Sequence, residues 1–165
     1  STSGSTGEPK LVKLSKDNIQ SNAESIVTYL ELQKTDRAIS LLPFHYSYGL
    51  SILNSHLTCG ASLVLTNDGI MSREFWNLFK THEVSSISGV PYIYEILDKL
   101  RFNRMQLPSL RYMTQAGGKL SVQLVEQYVK QCAELNISFY VMYGQTEATA
   151  RISYLHPAQA KTKPG

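Results

Sequence analysis

The chain has 165 residues, of which 42% are hydrophobic and 18% charged, and 16 Lys and Arg against 13 Asp and Glu give a formal net charge of +3. This apolar content can offset the entropy lost on ordering a chain, so the composition excludes intrinsic disorder and low-complexity sequence. Basic residues scattered singly argue against a nucleic-acid partner, and no apolar stretch approaches the roughly 20 residues that span a bilayer.

Strand-forming and helix-forming patterns alternate along most of the chain. Strands are predicted at 38–43, 61–65, 84–90, 110–114, 137–142 and 151–155. Helices are predicted at 48–57, 72–81, 91–100 and 121–135, with Ser72, Pro91 and Ser121 as starting residues. Strands that alternate with such helices form parallel βαβ units. The sequence therefore predicts a single α/β subdomain over 1–165, a three-layer sandwich with a mostly parallel sheet and helices on both faces.

The first ten residues, STSGSTGEPK, combine hydroxyl side chains, two glycines and a lysine. Gly4 and Gly7 let backbone N–H groups turn inward, the hydroxyls donate hydrogen bonds, and Lys10 adds a positive charge, which together suit phosphate oxygens. The alternative is a flexible Gly/Ser linker, but the alternating segment 11–14 continues without a break and predicts a strand leading away from the loop. Because a Walker loop opens a helix at its lysine, the pattern argues against a GTPase or simple ATPase.

A second candidate site, YGQTE at 143–147, follows directly after a predicted buried strand. Tyr143 offers a flat ring, Gly144 a close approach to the backbone, Thr146 a hydroxyl and Glu147 a carboxylate. One or two carboxylates suit Mg²⁺, which completes its shell with water and phosphate. Alone, such a segment is usually only a turn. Together with the phosphate-binding pattern of the first ten residues, it indicates a nucleotide site.

These two segments, 1–10 and 143–147, closely resemble motifs of the adenylate-forming superfamily, which includes acyl- and aryl-CoA synthetases, firefly luciferase and peptide-synthetase adenylation domains. The resemblance runs the whole length of the chain. LPFHYSYG at 42–49 is similar to the family's substrate-gate motif, SGVPYIYEIL at 88–97 to its GVP segment, and AGGKLS at 116–121 to its GGxPLS loop. Five motifs in the family's order make an accidental similarity improbable.

The resemblance implies a two-step reaction. A carboxylate attacks the α-phosphate of ATP to give acyl-AMP and pyrophosphate, and the acyl group then passes to the thiol of CoA or phosphopantetheine. It implies ATP and Mg²⁺ as cofactors, a small-molecule carboxylate as substrate and, for a phosphopantetheine acceptor, a carrier protein as partner. The implied ATP phosphate-binding residues are Thr2, Ser3, Gly4, Ser5, Thr6, Gly7 and Lys10. The implied adenine and AMP site comprises Gly117, Gly118, Tyr143, Gly144 and Thr146, and the implied acyl site comprises Tyr46, Ser47, Gly89, Gly117 and Gly144.

The resemblance gives the catalytic roles to Lys10, Thr146 and Glu147. Thr146 would bond the α-phosphate, Glu147 would ligate Mg²⁺, and Tyr143 would stack against adenine. These roles agree with the chemistry, since an in-line displacement at phosphorus depends mainly on positioning and on charge neutralisation.

Several positions depart from the family pattern. Leu11 stands where a glycine usually follows the lysine, and Lys119 replaces the usual proline of the GGxPLS loop. Amino-acid-activating members usually carry an aspartate just after the gate residue, here Tyr46, to pair with the α-ammonium group. The uncharged Ser47 at that position disfavours an α-amino acid and favours a fatty or aryl acid.

The chain begins at Ser1, inside its strongest motif, and ends at Gly165, before the family's ribose-binding aspartate and the catalytic lysine of its small C-terminal domain. We therefore expect a central fragment of the N-terminal ATP-binding domain, with weak nucleotide binding and no activity in isolation. Two alternatives stay open, an amino-acid adenylation domain of a peptide synthetase and a non-catalytic nucleotide-binding module. Cys59 and Cys132 form no disulfide or zinc pattern and no secretory segment opens the chain, so the expected location is the cytoplasm.

Overall fold

The computed structural model of the chain describes residues 11–160 and Thr162. The helices are α1 (Lys16–Tyr29), α2 (Ser47–Cys59), α3 (Arg73–Thr81), α4 (Pro91–Lys99), α5 (Val122–Glu134) and α6 (Pro157–Ala160). The strands are β1 (Arg37–Ile39), β2 (Ser62–Val64), β3 (Ser86–Gly89), β4 (Tyr112–Gln115), β5 (Ser138–Tyr143) and β6 (Ser153–Leu155).

The strands of the described residues form one sheet in the order β2-β1-β3-β4-β5-β6. Every neighbouring pair is parallel except β5 with β6, which is antiparallel. From β1 the chain moves outward to β2, and it then returns across β1 to build β3, β4 and β5 on the other side. In open α/β sheets, such a reversal leaves a crevice beyond the carboxyl ends of the strands, and ligands bind there.

Strand side chains alternate between two buried layers, as the pleat of a sheet requires. Met113 and Phe139 pack with the buried faces of α3, α4 and α5. Their chain neighbours Tyr112 and Tyr140 pack on the opposite side, with α1 and α2. Helices therefore cover both faces of the sheet, and the predicted three-layer α/β sandwich is confirmed.

The prediction of a strand after the first ten residues was wrong. Residues 11–15 have no regular structure, Val12 and Leu14 are only half-buried, and the Leu11 side chain is 89% exposed. Helix α1 follows instead, opened by a capping box. The Ser15 hydroxyl accepts a hydrogen bond from the Asn18 N–H (3.0 Å), and the Asn18 side chain accepts one from the Ser15 N–H (3.2 Å). Ile26, in the last turn of α1, and Leu30, directly after the helix, are then buried against the sheet layer.

The other predicted elements are present, and all the predicted strands except β5 are shorter than the sequence pattern. The predicted strand at 38–43, for example, ends at Ile39, and the chain then turns beneath the start of α2. Both cysteines are free thiols. Cys59 is half-buried, and burial of Cys132 raises the pKa of its thiol to about 12. Within the described residues, no helix combines the length and the apolar character needed to cross a membrane.

Candidate active site

A cavity of about 620 Å³ opens at the carboxyl ends of the strands. Three parts of the chain meet there, namely the start of α2 after β1, the loop between β4 and α5, and the loop between β5 and β6. The predicted site residues that line it are Tyr46, Ser47, Gly117, Gly118, Tyr143, Gly144, Thr146 and Glu147. The fold thus brings together three of the motifs that the sequence suggested. The remaining phosphate-binding candidates, Thr2, Ser3, Gly4, Ser5, Thr6, Gly7 and Lys10, lie outside the described residues.

Tyr46 closes one side of the cavity by resting on the backbone of Gly117. Gly117 has φ +78°, a left-handed conformation that favours glycine, and a Cβ at this position would collide with the Tyr46 hydroxyl. The Tyr46 ring meets Tyr48 edge-on, with 6.3 Å between the ring centroids. Burial raises the pKa of the Tyr46 phenol, so the group stays neutral at physiological pH. The predicted gate residue and the glycine loop therefore form one packed unit.

Helix α2 directs its amino terminus toward the same cavity. Tyr46 is its N-cap residue and makes no side-chain cap hydrogen bond. No side chain of the described residues caps the first-turn N–H groups, and together with the helix dipole these groups favour a negative group in the cavity. Ser47, the first helical residue, places its hydroxyl oxygen 3.0 Å from the Thr146 hydroxyl oxygen.

The loop between β5 and β6 folds tightly back on itself. A Cβ at Gly144 would collide with the carbonyl oxygen of Ala150, so only glycine permits this crossing. Ala150 donates its N–H to the Gln145 carbonyl (3.1 Å), and Thr149 donates its N–H to the Thr146 carbonyl (3.2 Å). Thr149 and Ala150 both have positive φ. This backbone closure fixes a short 3-10 helix that begins at Thr146 and holds its hydroxyl in the cavity.

Tyr143 and Glu147 stand at the open side of the cavity. The Tyr143 ring is 61% exposed. Glu147 is exposed, and none of the described residues makes a hydrogen bond or an ion pair with its carboxylate. No cluster of three or more His, Cys, Asp or Glu side chains occurs in the described part of the chain. One carboxylate together with phosphate and water oxygens would form a suitable ligand set for a divalent cation here, and this is the kind of ligand set that Mg²⁺ prefers.

The loop after β4 is held by a residue that the sequence reading missed. Gln115, 1% exposed, donates its side-chain N–H to the Gly118 carbonyl (2.8 Å). A Cβ at Gly118 would lie 3.1 Å from Cγ of Pro91, so this loop packs closely on the start of α4. Gln115 stands at the end of a strand pattern, two positions before the Gly117-Gly118 pair, and that position is the signal that could have identified it.

Gly89 is the described candidate that the fold does not place on the cavity wall. It ends β3, accepts a hydrogen bond from the Ala116 N–H (3.3 Å), and lies against Ile93 of α4, where a Cβ would come within 2.7 Å of that side chain. The fold puts Gly89 behind the loop that carries Gly117, where its small size lets α4 approach the sheet.

Arg151 is a cavity residue that the sequence reading did not single out. It follows the tight loop and is only 8% exposed. Its Nε donates to the Ser51 hydroxyl (3.0 Å) and its Nη1 to the Tyr29 hydroxyl (2.9 Å), which ties the loop to α2 and α1. No local sequence signal marks Arg151, because its burial depends on packing against α1 and α2.

Comparisons with known proteins agree with this architecture. The family model described as "AMP-binding enzyme" matches residues 2–165. The chain is 30% identical over 155 residues to bacitracin synthase 3 of Bacillus licheniformis, covering 88% of this chain and 2% of that protein. It is 29% identical over 169 residues to oxalate–CoA ligase of Arabidopsis thaliana, covering 99% of this chain and 32% of that protein.

Solved structures show the same similarity. The fold matches o-succinylbenzoate CoA synthetase (MenE) from Bacillus subtilis in complex with the acyl-adenylate intermediate OSB-AMP, with a TM-score of 0.86 and 29% identity over 99% of this chain and 32% of that one. The same enzyme in complex with ATP and magnesium ion matches with a TM-score of 0.82, at 29% identity over 98% of this chain and 32% of that one. The chain thus spans about a third of the length of these CoA ligases.

Proposed function

The chain belongs to the AMP-binding enzyme family, and on that premise we propose that it is the central part of the N-terminal ATP-binding domain of a longer AMP-forming ligase. This ligase adenylates a carboxylic acid with ATP and Mg²⁺, releases pyrophosphate, and passes the acyl group to a thiol. The CoA ligases named above are about three times as long, which supports the placement within a longer protein.

One observation carries the proposal. Residues from three separate segments, each resembling a different family motif, line a single cavity of about 620 Å³. Tyr46 and Ser47 come from the first segment, Gly117 from the second, and Thr146 and Glu147 from the third. A cavity of this size is in the range of small-molecule sites. A structural turn at 143–147 would not require the other two segments to converge on it.

The residues have the following roles in the proposal. The Tyr143 ring stacks on adenine, beside the backbone of Gly117 and Gly118. The Thr146 hydroxyl donates to the α-phosphate, where negative charge builds up during attack. Glu147 holds Mg²⁺, which supplies charge neutralisation on the phosphates. The hydroxyls and glycines at 2–7, with Lys10, hold the β- and γ-phosphates.

The acid in this proposal is a fatty or aryl acid. Ser47 is uncharged and already shares a hydrogen bond with Thr146, so the cavity offers no carboxylate at that position for an α-ammonium group. The acceptor is CoA or the phosphopantetheine of a carrier protein, and the location is the cytoplasm. The ribose-binding aspartate and the C-terminal lysine would come from the rest of the ligase, so we expect the isolated chain to be inactive.

ATP–pyrophosphate exchange by the full-length protein tests the proposal, with fatty, aryl and amino acids offered separately. Exchange that depends on a fatty or aryl acid supports it. Exchange only with an amino acid would instead assign an adenylation domain like that of the peptide-synthetase relative. Tight ATP binding without exchange for any acid would reject adenylation and leave a non-catalytic nucleotide-binding module.

A further inference from the structure

The cavity contains a buried positive charge without a negative partner among the residues described. Arg151 is only 8% exposed, yet it lines the cavity wall. The ion pair found in the described part of the chain joins Arg111 to Asp36. These residues directly precede β4 and β1, so the pair lies at the amino ends of the strands, away from the cavity. Burying a guanidinium is costly unless its charge is paired.

The groups of the described residues that contact the Arg151 guanidinium are neutral. Nε donates to Ser51, Nη1 donates to Tyr29, and the guanidinium lies over the Tyr48 ring, 5.1 Å from its centroid. Across the residues that the structure covers, the second terminal nitrogen, Nη2, has no acceptor, and it is not fully buried, so a ligand can still reach it. Two neutral hydroxyls could be satisfied by an uncharged side chain, so they do not explain why this position carries a full charge.

The position of Arg151 indicates which end of a ligand it would meet. Ser51 lies one helical turn beyond Ser47, about 6 Å further along α2. Arg151 therefore sits deeper than the point where Ser47 and Thr146 meet, while Tyr143 and Glu147 stand at the open side of the cavity. In the proposed function, the nucleotide occupies the open side and the reacting carboxylate lies near Thr146. A ligand group that contacts Arg151 therefore belongs to the end of the acid that is farthest from the reacting carboxylate.

We propose that Arg151 determines acid specificity, and that the acid carries a second carboxylate at its far end, which pairs with the Arg151 guanidinium. This inference rests on the proposed adenylation of a carboxylic acid and revises the acid from a fatty or aryl acid to a dicarboxylic acid. The preferred acid is an aryl or short aliphatic dicarboxylic acid, in place of a plain fatty acid. A carboxylate at this position would neutralise the buried charge and accept the hydrogen bond that Nη2 can still donate.

The test compares dicarboxylic acids with their monomethyl esters in ATP–pyrophosphate exchange by the full-length protein. Succinate, adipate and isophthalate serve as probes, since each ester keeps the reacting carboxylate and the approximate length. We expect the wild-type kcat/KM for the best dicarboxylic acid to exceed that for its ester at least about tenfold. In Arg151→Met, we expect this ratio to fall to within about threefold of unity, with the KM for ATP nearly unchanged. Arg151→Lys should retain part of the preference.

Matched variants separate specificity from structure. Tyr29→Phe and Ser51→Ala each remove one hydrogen bond from Arg151 but keep its charge, so we expect lower thermal stability and an unchanged ratio. Arg151→Met that slows acid and ester equally would overturn the inference, as would a wild-type protein that prefers the ester. Should Arg151→Met fail to fold, the wild-type ratio together with that of Arg151→Lys decides the question. Absence of exchange with every acid would reject the proposed function itself, a different outcome from exchange without the dicarboxylate preference.

Discussion

The hydroxyl oxygens of Ser47 and Thr146 lie 3.0 Å apart, although the two residues are 99 positions apart in the chain. Ser47 opens α2, and Thr146 opens the short helix of the β5–β6 loop. The contact joins the motif similar to the substrate gate with the motif similar to the α-phosphate site. It also constrains the Thr146 hydroxyl, because that oxygen can direct its proton to a phosphate while accepting a hydrogen bond from Ser47.

Replacing Ser47 should therefore slow adenylation through Thr146. A neutral hydrogen bond contributes about 1 kcal/mol net, so we expect Ser47→Ala to lower kcat/KM for pyrophosphate exchange roughly fivefold. Ser47→Thr keeps the hydroxyl and should stay near wild type, whereas Ser47→Asp places a negative charge beside the phosphate position and should cost much more. Equal rates for Ser47→Ala and wild type would mean that the contact does not position Thr146.

Gly117→Ala tests the packing of Tyr46 on the glycine loop. The added Cβ collides with the Tyr46 hydroxyl, and a left-handed φ adds roughly 1–2 kcal/mol of strain. We expect loss of most exchange activity and a lower melting temperature. The double variant Gly117→Ala/Tyr46→Phe removes the colliding oxygen and should recover part of the loss, which a double-mutant cycle measures.

Gly69→Ala is the matched control for this substitution. Within the part of the chain that the structure describes, no atom lies within 4 Å of a Cβ at Gly69, and that residue does not line the cavity. It should leave exchange activity unchanged. Identical losses in Gly117→Ala and in the double variant would show that backbone strain, and not the collision with Tyr46, limits the position.

Glu147→Gln should abolish most exchange without reducing stability. The carboxylate is exposed and has no hydrogen-bond partner in the described residues, so its removal breaks no contact seen there. Loss of the proposed Mg²⁺ ligand should reduce kcat/KM by about 100-fold, the size typical of losing one electrostatic stabiliser, and raise the Mg²⁺ concentration at half-maximal rate. Glu147→Asp should show an intermediate effect. Unchanged activity and Mg²⁺ dependence in Glu147→Gln would remove Glu147 from the catalytic residues.

The sequence predicted the sandwich because strand and helix periodicity is a local property. Helix α1 was missed because residues 11–14 alternate like a strand, whereas the deciding signal was the pair Ser15 and Asn18, whose reciprocal hydrogen bonds cap the helix. The length of the first predicted strand, 38–43, was overestimated because apolar residues such as Leu42 are buried beneath a helix after the strand pairing has ended at Ile39.

The candidate site could be predicted where motifs are contiguous, and not where it depends on tertiary contacts. Thr146 and Glu147 belong to a recognisable motif, but the pairing of Thr146 with Ser47 depends on how α2 meets the sheet. Arg151 was missed for the same reason. Its burial results from packing against α1 and α2, which no local pattern reports.

Because of His56, the stability of the protein should decrease as the pH falls below about 6.5. Its Nδ1 donates to the Ile52 carbonyl (2.8 Å), so Nε2 is the acceptor for the Tyr112 hydroxyl (3.3 Å), and the ring is neutral. Burial lowers the pKa of His56 from its ordinary value of 6.5. The unfolded chain therefore binds a proton before the folded one does, so the stabilising contribution is complete above about pH 6.5 and declines as the pH falls.

We expect the melting temperature of the wild-type protein to drop across this range, and His56→Asn to show a shallower slope. The substituted amide can still donate to the Ile52 carbonyl but leaves the Tyr112 hydroxyl without its acceptor, so this variant should be less stable at pH 7. His82→Gln, at an exposed position, is the control and should follow the wild-type slope. The buried, neutral His56 ring resists protonation in the folded state, so its replacement should remove the acid sensitivity. Parallel slopes for the wild type and His56→Asn would therefore show that another group causes the loss of stability at low pH.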